Sequence, residues 1–320
     1  MNQNGNKNMQ TTTKVPVKKI EIYGLKIRDE IKEGTDLASL IVEESKKSGI
    51  KIEENDVVVI TSKIVSKAEG RYFDISKIKV SKKAHILSKL FGKNEKEVQL
   101  ILQNSDKIEY VIPIWKLAQK FGHFYDVAKD EKVAKELIKS DPYIFVCKVG
   151  NILLTDAGLD FSNSPKNYCT LPPKDADKSA KEIRERIKQL TGKDVAVIIT
   201  DTEWKLDKFG TIDIAIGSSG IQPVSRNFGE KDLYGKPKFG GVDDLTDLLA
   251  ASANLLFGQT GEGVPVVIIG GLRYEKSEKG VKDFAYPEKA FSEALRMALL
   301  DNIKFKVVSK FLDFSIREEK

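Results

Sequence analysis

The sequence is poor in several residue types on which particular classes of protein depend. Its 320 residues include two cysteines and two histidines, and no apolar run approaches the roughly 18 residues that a membrane span needs. Two cysteines cannot build a disulfide framework, and no Cys/His cluster typical of zinc sites is present. The polar opening MNQNGNKNMQTTTK lacks the apolar stretch of a secretory signal. We therefore expect a cytoplasmic protein without a membrane span.

Arginine is also scarce for a chain with a net charge of +6 and a pI near 8.9. Nearly all of the 53 basic residues are lysines, and lysine interspersed with glutamate is typical of a solvated surface. Phosphates and base edges favour the planar fork of arginine. The aromatic residues are dispersed, so they offer no platform for stacked bases. We therefore expect no nucleic-acid partner.

Strand and helix patterns alternate along most of the chain. Continuous apolar runs such as DVVVIT, VAVIIT and VPVVIIGG predict buried strands. The pair Gly150-Asn151 predicts a hairpin turn. Helical spacing over 177–192 predicts a helix with Asp177 as its N-cap and Gly192 beyond its end. No linker rich in Pro, Gly or Ser divides the chain, which predicts one large α/β or α+β body with closely associated lobes.

Four segments place polar or small residues at the ends of predicted buried strands, where open sheets bind ligands. The first, at 61–70, combines lysines with hydroxyl groups and is either a cradle for phosphate oxygens or a surface loop. The second, at 155–163, carries Asp156 and Asp160 four residues apart. These carboxylates are either oxygen ligands for a hard divalent cation or parts of a polar turn with Asx capping.

The third segment, Thr200-Asp201-Thr202, directly follows an apolar run, and a carboxylate there is costly to desolvate without a metal or another partner. The fourth, at 257–263, has three glycines that let backbone N–H groups approach a ligand, although a plain loop explains them equally well. The chain has no GxSxG, Walker A or GxGxxG motif, and neither His85 nor His123 has the setting of a catalytic histidine. Acids, lysines and glycine loops favour metal-assisted phosphoryl chemistry over a nucleophilic triad.

Seven stretches in order resemble the coenzyme F420 γ-glutamyl ligase family over residues 18–275: DVVVITSKIVSKAEGR, TDAGLDFSN, LPPKDADKSAKEIR, VAVIITDT, IAIGSSGIQP, KDLYG and FGQTGEGVPVVIIGG. The resemblance implies an α+β fold with mixed β-sheets, flanking helices and two closely associated lobes, assembled as an intertwined homodimer. It further implies a ligase that uses GTP or ATP with Mg or Mn to join L-glutamate to a carboxylate of coenzyme F420-0 or a similar cofactor through an acyl phosphate.

The resemblance also assigns roles to individual residues. It implies catalytic roles for Asp160, Asp201 and Lys67. The implied metal-binding positions are Asp160, Asp201, Thr202 and Gln259. The implied nucleotide- or cofactor-binding positions are Leu25, Lys26, Ser62, Lys63, Lys67, Asn163, Gly258, Gln259, Gly261 and Gly263.

Several positions depart from the family's pattern. Glu203 stands where the family has an aromatic residue after TDT, and no arginine follows it. At Arg226-Asn227 the family's Asp-x-Arg-Gly step is lost, and Leu248 stands where an acid usually follows Asp247. These changes cluster where an acceptor should bind. The alternatives are therefore a folate-type polyglutamate ligase with the same chemistry, or a non-catalytic descendant that binds a nucleotide or cofactor.

The predicted organisation has three parts. Residues 1–14 form a disordered tail, since they are short, polar and rich in Asn and Thr. Residues 15–275 form the ligase-like domain, with a helical insertion at about 113–141. Residues 276–320 form a helical and strand extension that packs on the same body.

Overall fold

The computed structural model describes residues 19–122, 125–205, 208, 210–287 and 289–312. The predicted tail at 1–14 and His123 lie outside these described residues. Within them the strands are β1 (Glu21–Leu25), β2 (Val57–Thr61), β3 (Tyr72–Asp74), β4 (Lys107–Ile112), β5 (Ile144–Val149), β6 (Ile152–Thr155), β7 (Tyr168–Thr170), β8 (Ala196–Trp204), β9 (Thr211–Ser219) and β10 (Val266–Gly270). The helices are α1 (Leu37–Lys47), α2 (Ser62–Ala68), α3 (Lys82–Phe91), α4 (Glu95–Asn104), α5 (Ile114–Phe121), α6 (Glu131–Ser140), α7 (Ala176–Thr191), α8 (Leu245–Phe257) and α9 (Ala290–Leu312).

The largest sheet has five strands in the order β1-β10-β2-β8-β9. β2 and β8 are parallel, with Thr61 opposite Thr200, and the other neighbouring pairs are antiparallel. Because β2 and β8 run in the same direction and in this register, their carboxyl ends finish side by side. The segments predicted at 61–70 and at Thr200-Asp201-Thr202 are thereby brought together.

Both faces of this sheet are buried, as the continuous apolar runs predict. On one face, side chains such as Val58 and Ile60 belong to the same apolar core as residues of α1 and α7. On the other face, Val57 and Val59 belong to a second core with residues of α8. All four of these side chains are fully buried. A well-packed core is stiff, so the residues that follow β2 and β8 have fixed positions.

A three-stranded antiparallel sheet, β4-β5-β6, shares a separate apolar core with α3 and α4. β5 and β6 form the hairpin predicted at Gly150-Asn151. The core includes Phe145, Cys147 and Ala157, which follows β6. The third sheet has two strands, β3 and β7. Mixed sheets with flanking helices confirm the α+β class.

The helix predicted over 177–192 is α7, which begins one residue earlier than expected, at Ala176. Its N-cap is Asp175, whose carboxylate accepts a backbone N–H of the first turn, so the prediction of Asp177 as the cap was wrong. The carboxylate of Asp177 instead accepts N–H groups from Ser218, at 2.8 Å, and from Val281, at 2.9 Å. It therefore ties α7 to β9 and to the segment that leads to α9.

Two helices, α5 and α6, lie within the predicted insertion at 113–141. The long helix α9 lies in the predicted C-terminal extension and exposes apolar side chains such as Met297 and Leu300. Within the described ranges, no helix combines the length and the apolar character that crossing a membrane requires.

Candidate functional site

A cavity of about 370 Å³ opens where β2 and β8 end. It is bounded by the first turns of α2, the segment after β6, the end of β8 and the loop between α8 and β10. The predicted site residues that line it are Ser62, Lys63, Lys67, Asp160, Asn163, Asp201, Thr202, Gly258, Gln259, Gly261 and Gly263. The fold thus gathers all four sequence segments around one space.

Two predicted residues do not line this cavity. The side chain of Leu25 is fully buried in the main core, so it cannot present its side chain to a ligand. Lys26 is exposed and lies beside Gly263, in the loop that borders the cavity. The structure therefore places both of them next to the site and not within its lining.

Asp201 lies near the end of β8, just beyond the buried apolar run. Its Oδ1 accepts hydrogen bonds from the hydroxyl of Ser62, at 3.1 Å, and from the backbone N–H of Thr202, at 3.0 Å. Burial, together with the nearby charges of Glu203 and Asp160, raises the pKa of Asp201 to about 8. Both of these donors are neutral, so a cation entering the cavity would stabilise the charged form of this carboxylate.

Lys63 and Lys67 project from the same face of α2 because they are four residues apart. Lys63 Nζ lies 2.5 Å from Asp160 Oδ2 and 2.6 Å from the hydroxyl of Ser162. Lys67 Nζ lies 3.4 Å from the carbonyl oxygen of Asn163. Burial and the charge of Lys63 lower the pKa of Lys67. Two ammonium groups and the carboxylates of Asp160 and Asp201 therefore line one cavity, and this combination suits an anion accompanied by a cation.

The segment that carries Asp160 into the cavity begins with an unusual turn. Three successive residues, Asp156, Ala157 and Gly158, have φ values of 47°, 56° and 72°. This left-handed conformation costs about 1 to 3 kcal/mol at each non-glycine residue. Such a turn persists only where the surrounding structure holds it, so the position of Asp160 depends on contacts outside its own segment.

Gly158 lets this turn approach β8. A Cβ at this position would lie 2.3 Å from Pro172 Cγ and 3.2 Å from Asp201 Oδ2. Any larger residue would push the turn away from the carboxylate. Gly158 therefore brings the turn that leads to Asp160 against Asp201 in the folded chain.

Glu203 braces the start of the same turn. Its two carboxylate oxygens accept the backbone N–H of Thr155 at 3.0 and 3.1 Å. Burial raises the pKa of Glu203 to about 7, although the hydrogen bonds from Thr155 act to lower it. The sequence marks Glu203 only as a departure from a pattern, and its support of the turn appears only when β6 and β8 are seen side by side.

Asp213, on β9, is a site residue that the sequence analysis missed. It is buried, it lines the cavity, and its Oδ1 accepts the hydroxyl of Thr202 at 2.7 Å and the side-chain amide of Asn254. The signal was a single acid inside the apolar strand pattern IDIAIGSSG. Asp213 thereby orients the hydroxyl of Thr202, one of the predicted metal ligands.

The glycine loop between α8 and β10 is held by a side chain of its own and by Asn163. The carboxylate of Glu262 accepts the N–H of Thr260 at 2.9 Å and its hydroxyl at 3.0 Å. The amide of Asn163 donates to the carbonyl of Thr260 at 2.8 Å. Gly258, with φ of 69°, allows this closure because a Cβ there would collide with Glu262. Gln259 is exposed on this loop at the mouth of the cavity.

The donor set can be tested against a divalent cation. In the part of the chain that the structure describes, no group of three or more His, Cys, Asp or Glu residues is placed to hold a metal ion. Two carboxylates, Asp160 and Asp201, nevertheless line one cavity. Mg²⁺ in nucleotide sites is commonly held by one or two carboxylates together with phosphate oxygens and water. The residues present fit a cation that arrives with a phosphate ligand.

A family model described as F420-0:Gamma-glutamyl ligase matches residues 24–271, which include every residue of the cavity named above. The match ends before the segment that carries α9.

Three curated relatives are similar to this chain, and each is named coenzyme F420:L-glutamate ligase. The protein of Archaeoglobus fulgidus is 35% identical over 254 residues, covering 79% of this chain and 88% of the relative. The protein of Methanopyrus kandleri is 33% identical over 272 residues, with 85% and 92% covered. The protein of Methanocaldococcus jannaschii is 36% identical over 239 residues, with 74% and 84% covered.

Proposed function

The chain belongs to the F420-0:gamma-glutamyl ligase family, and we propose that it forms an amide bond between L-glutamate and a carboxylate of coenzyme F420-0, driven by GTP or ATP. The observation that carries this proposal is the convergence of four separate segments on one cavity, which Lys63, Lys67, Asp160 and Asp201 all line. This arrangement suits a phosphorylated substrate held between ammonium groups and a carboxylate-bound cation.

Mg²⁺ or Mn²⁺ would be held by Asp160 and Asp201, with the hydroxyl of Thr202 and the side chain of Gln259 as further oxygen donors. When bound, the metal ion would neutralise negative charge on the nucleotide phosphates. The hydrogen bond from Thr202 to Asp213 leaves the lone pairs of the threonine oxygen free to coordinate. Lys63 already neutralises Asp160 in this structure, and a bound cation would free its ammonium group for a phosphate.

The protein's own groups then position the reactants. Burial lowers the pKa of Lys67, and its ammonium group lines the cavity, where it can contact a phosphate. The backbone N–H groups of the glycine loop can donate to other phosphate oxygens. A carboxylate oxygen of the acceptor attacks the γ-phosphorus, which releases the nucleoside diphosphate and forms an acyl phosphate. The amine nitrogen of glutamate attacks the acyl carbon, phosphate leaves, and the nitrogen loses a proton as the amide forms. Such catalysis is chiefly positioning and charge stabilisation.

The test is mass spectrometry on the purified chain with L-glutamate, Mg²⁺ or Mn²⁺, and GTP or ATP in separate reactions. F420-0 and a folate monoglutamate are offered as acceptors in parallel. We expect F420-0 to gain one glutamyl residue, and Asp201→Asn to lower the rate of product formation about 10³-fold. Asp301→Asn, at an exposed position on α9, is the matched control and should leave the yield unchanged.

Other outcomes separate the alternatives. Product from the folate alone would identify a folate-type ligase with the same chemistry. Tight nucleotide binding without product from either acceptor would contradict the ligase and favour a non-catalytic descendant. That alternative gains some support from the loss of the family's arginines near Glu203 and Arg226.

A homodimer is part of the proposal. The segment between β9 and α8 exposes large apolar side chains, with Tyr234 at 88% and Phe239 at 97%. Exposed patches of this kind are typical of interaction sites. Sedimentation equilibrium should give twice the chain mass, and Phe239→Ser should shift the equilibrium toward the monomer. A monomer at micromolar concentration in the unmodified protein would contradict the dimer.

A further inference from the structure

The left-handed turn at Asp156–Gly158 is held by side chains from parts of the chain that do not line the cavity. The carbonyl of Ala157 accepts the side-chain amide of Asn104 at 2.9 Å, and the oxygen of that amide accepts a guanidinium N–H of Arg71. Asp156 Oδ1 accepts the backbone N–H of Phe145 at 3.0 Å. These contacts anchor the turn to α4 and to β5.

The second oxygen of Asp156 has a charged partner. Lys93, in the short connection between α3 and α4, is 3% exposed, and its Nζ lies 3.2 Å from Asp156 Oδ2. The same ammonium group lies 2.5 Å from Asp141 Oδ1 and donates to the carbonyl of Tyr143 at 2.7 Å. Three oxygens therefore satisfy the three N–H donors of this buried group.

The charges around this ammonium group keep it protonated. Burial alone would lower the pKa of Lys93, but Asp156 and Asp141 outweigh burial and raise it. If the ammonium were removed, the carboxylate of Asp156 would be left in the interior near Asp141 without its cation. A buried charge that loses its partner is strongly destabilising, and here the destabilised group is the first residue of the strained turn.

We propose that Lys93 is a positioning residue for Asp160: by pairing with Asp156, it fixes the left-handed turn that presents the Asp160 carboxylate to the cavity. The proposal rests on the proposed function for the role of Asp160 as a metal ligand. The geometric part, that Lys93 fixes the turn, stands independently of any activity. Asp141, which also pairs with Lys93, is the last residue of the segment predicted as an insertion at 113–141, so this segment contacts the Lys93–Asp156 pair.

Hydrogen exchange provides a readout that needs no activity. The N–H of Leu159 donates to the carbonyl of Asp156 at 3.1 Å, and the N–H of Asp160 donates to the carbonyl of Thr170 at 3.0 Å. In Lys93→Met these two amides should exchange at least tenfold faster, while amides in the interior of β8 keep their protection. Lys93→Arg, which retains the charge, should leave most of the protection in place.

The rescue variant separates positioning from general damage. Lys93→Met with Asp156→Asn removes both charges and keeps an acceptor for the N–H of Phe145, so protection at Leu159 and Asp160 should return. Mn²⁺ affinity, followed by the electron paramagnetic resonance of the free ion, should fall about tenfold or more in Lys93→Met, as for other residues that orient a ligand. The rescue variant should recover it.

The possible outcomes separate the positioning of the turn by Lys93 from the role of Asp160 as a metal ligand. Unchanged exchange at Leu159 and Asp160 in Lys93→Met, or equal acceleration throughout β8, would overturn the positioning role. If Lys93→Met does not fold, the rescue variant decides, since failure of that variant to protect these two amides also overturns the role. Absence of Mn²⁺ binding in the unmodified protein, with selective exchange in Lys93→Met, would contradict the proposed metal site and leave the positioning of the turn supported.

Discussion

The two carboxylates that define the cavity reach it by opposite structural means. Asp201 follows a run of fully buried residues in β8 and is paired with Ile214 of the antiparallel neighbour β9. Asp160 follows a turn with left-handed backbone at three successive residues, fixed by hydrogen bonds and ion pairs from distant side chains. One position is a consequence of apolar burial, and the other depends on polar contacts that can each be lost.

Because of this difference, the two carboxylates should respond differently to substitutions around them. Changes near Asp201 should alter its charge and chemistry while the strand stays in place. Changes near Asp160 should alter geometry first, because several contacts hold a conformation that the backbone itself disfavours. Single substitutions can therefore disturb one of these two positions and leave the other intact.

The largest effect is expected from Asp201→Asn. The amide keeps an oxygen that can accept from Ser62 and Thr202, so the fold should be retained and the protein should be at least as stable at pH 8. Loss of the carboxylate removes several kcal/mol of charge stabilisation, which corresponds to a decrease of about 10³-fold in ligation rate. Initial rates and urea unfolding of the same preparation measure both, and a stable variant that retains more than a tenth of the rate would contradict the role of Asp201.

The next effect tests the turn. Gly158→Ala would place a Cβ against Pro172, and collision together with the left-handed backbone should lower the free energy of unfolding by about 3 kcal/mol. The matched control is Gly150→Ala in the hairpin turn, where φ is 59° and no atom lies within 4 Å of the added Cβ. The control should cost about 1 kcal/mol. Equal costs in urea unfolding would show that the close approach to Pro172 is unimportant.

The pH dependence of stability follows from the raised pKa of Asp201, about 8 against an ordinary value of 3.8. Between these values the folded chain binds more protons than the unfolded chain, so stability should fall as pH rises from about 4 to about 8. We expect a loss of about 2 kcal/mol or more in metal-free protein. Urea unfolding at pH 5, 7 and 9 should show it, and Asp201→Asn should flatten the profile. An unchanged slope in that variant would assign the effect to other groups, Glu203 first among them.

The smallest effect is expected from Ser62→Ala. This change removes one of the two donors to Asp201 Oδ1 that are named above and leaves the backbone N–H of Thr202. Stability at pH 9, where the carboxylate is charged, should fall by about 1 kcal/mol. Ser252→Ala is the control, because that hydroxyl donates to the carbonyl of Leu248 within its own helix, and it should change stability by less than about 0.5 kcal/mol.

The sequence predicted one side of this comparison better than the other. Apolar runs before Thr61 and Thr200 predict buried strands, and β2 and β8 are such strands, paired in parallel. The motif that contains Asp160 was also recognisable. Its left-handed conformation was not, since Asp156 and Ala157 carry no local signal for positive φ comparable to glycine.

The supporting residues escaped prediction for a related reason. Lys93 reads as one more lysine in a lysine-rich chain, and Asp213 as a polar interruption of a strand. Their partners, Asp156 and Thr202, are 63 and 11 residues away. Such contacts depend on tertiary structure, which periodicity and motif spacing do not specify. The N-cap of α7 was misplaced because Asp175 and Asp177 both satisfy the local pattern, and only the packing of α7 against β9 separates them.

We propose above that Asp160 and Asp201, held by such different means, form one cation site. The most direct test is Mn²⁺ binding, measured with a non-hydrolysable nucleotide, to Asp160→Asn, Asp201→Asn and the double variant. We expect that each single change weakens binding about tenfold or more and that the double variant is little worse than either single variant, because the two carboxylates act as a unit. Singles that bind Mn²⁺ as tightly as the unmodified protein would contradict it.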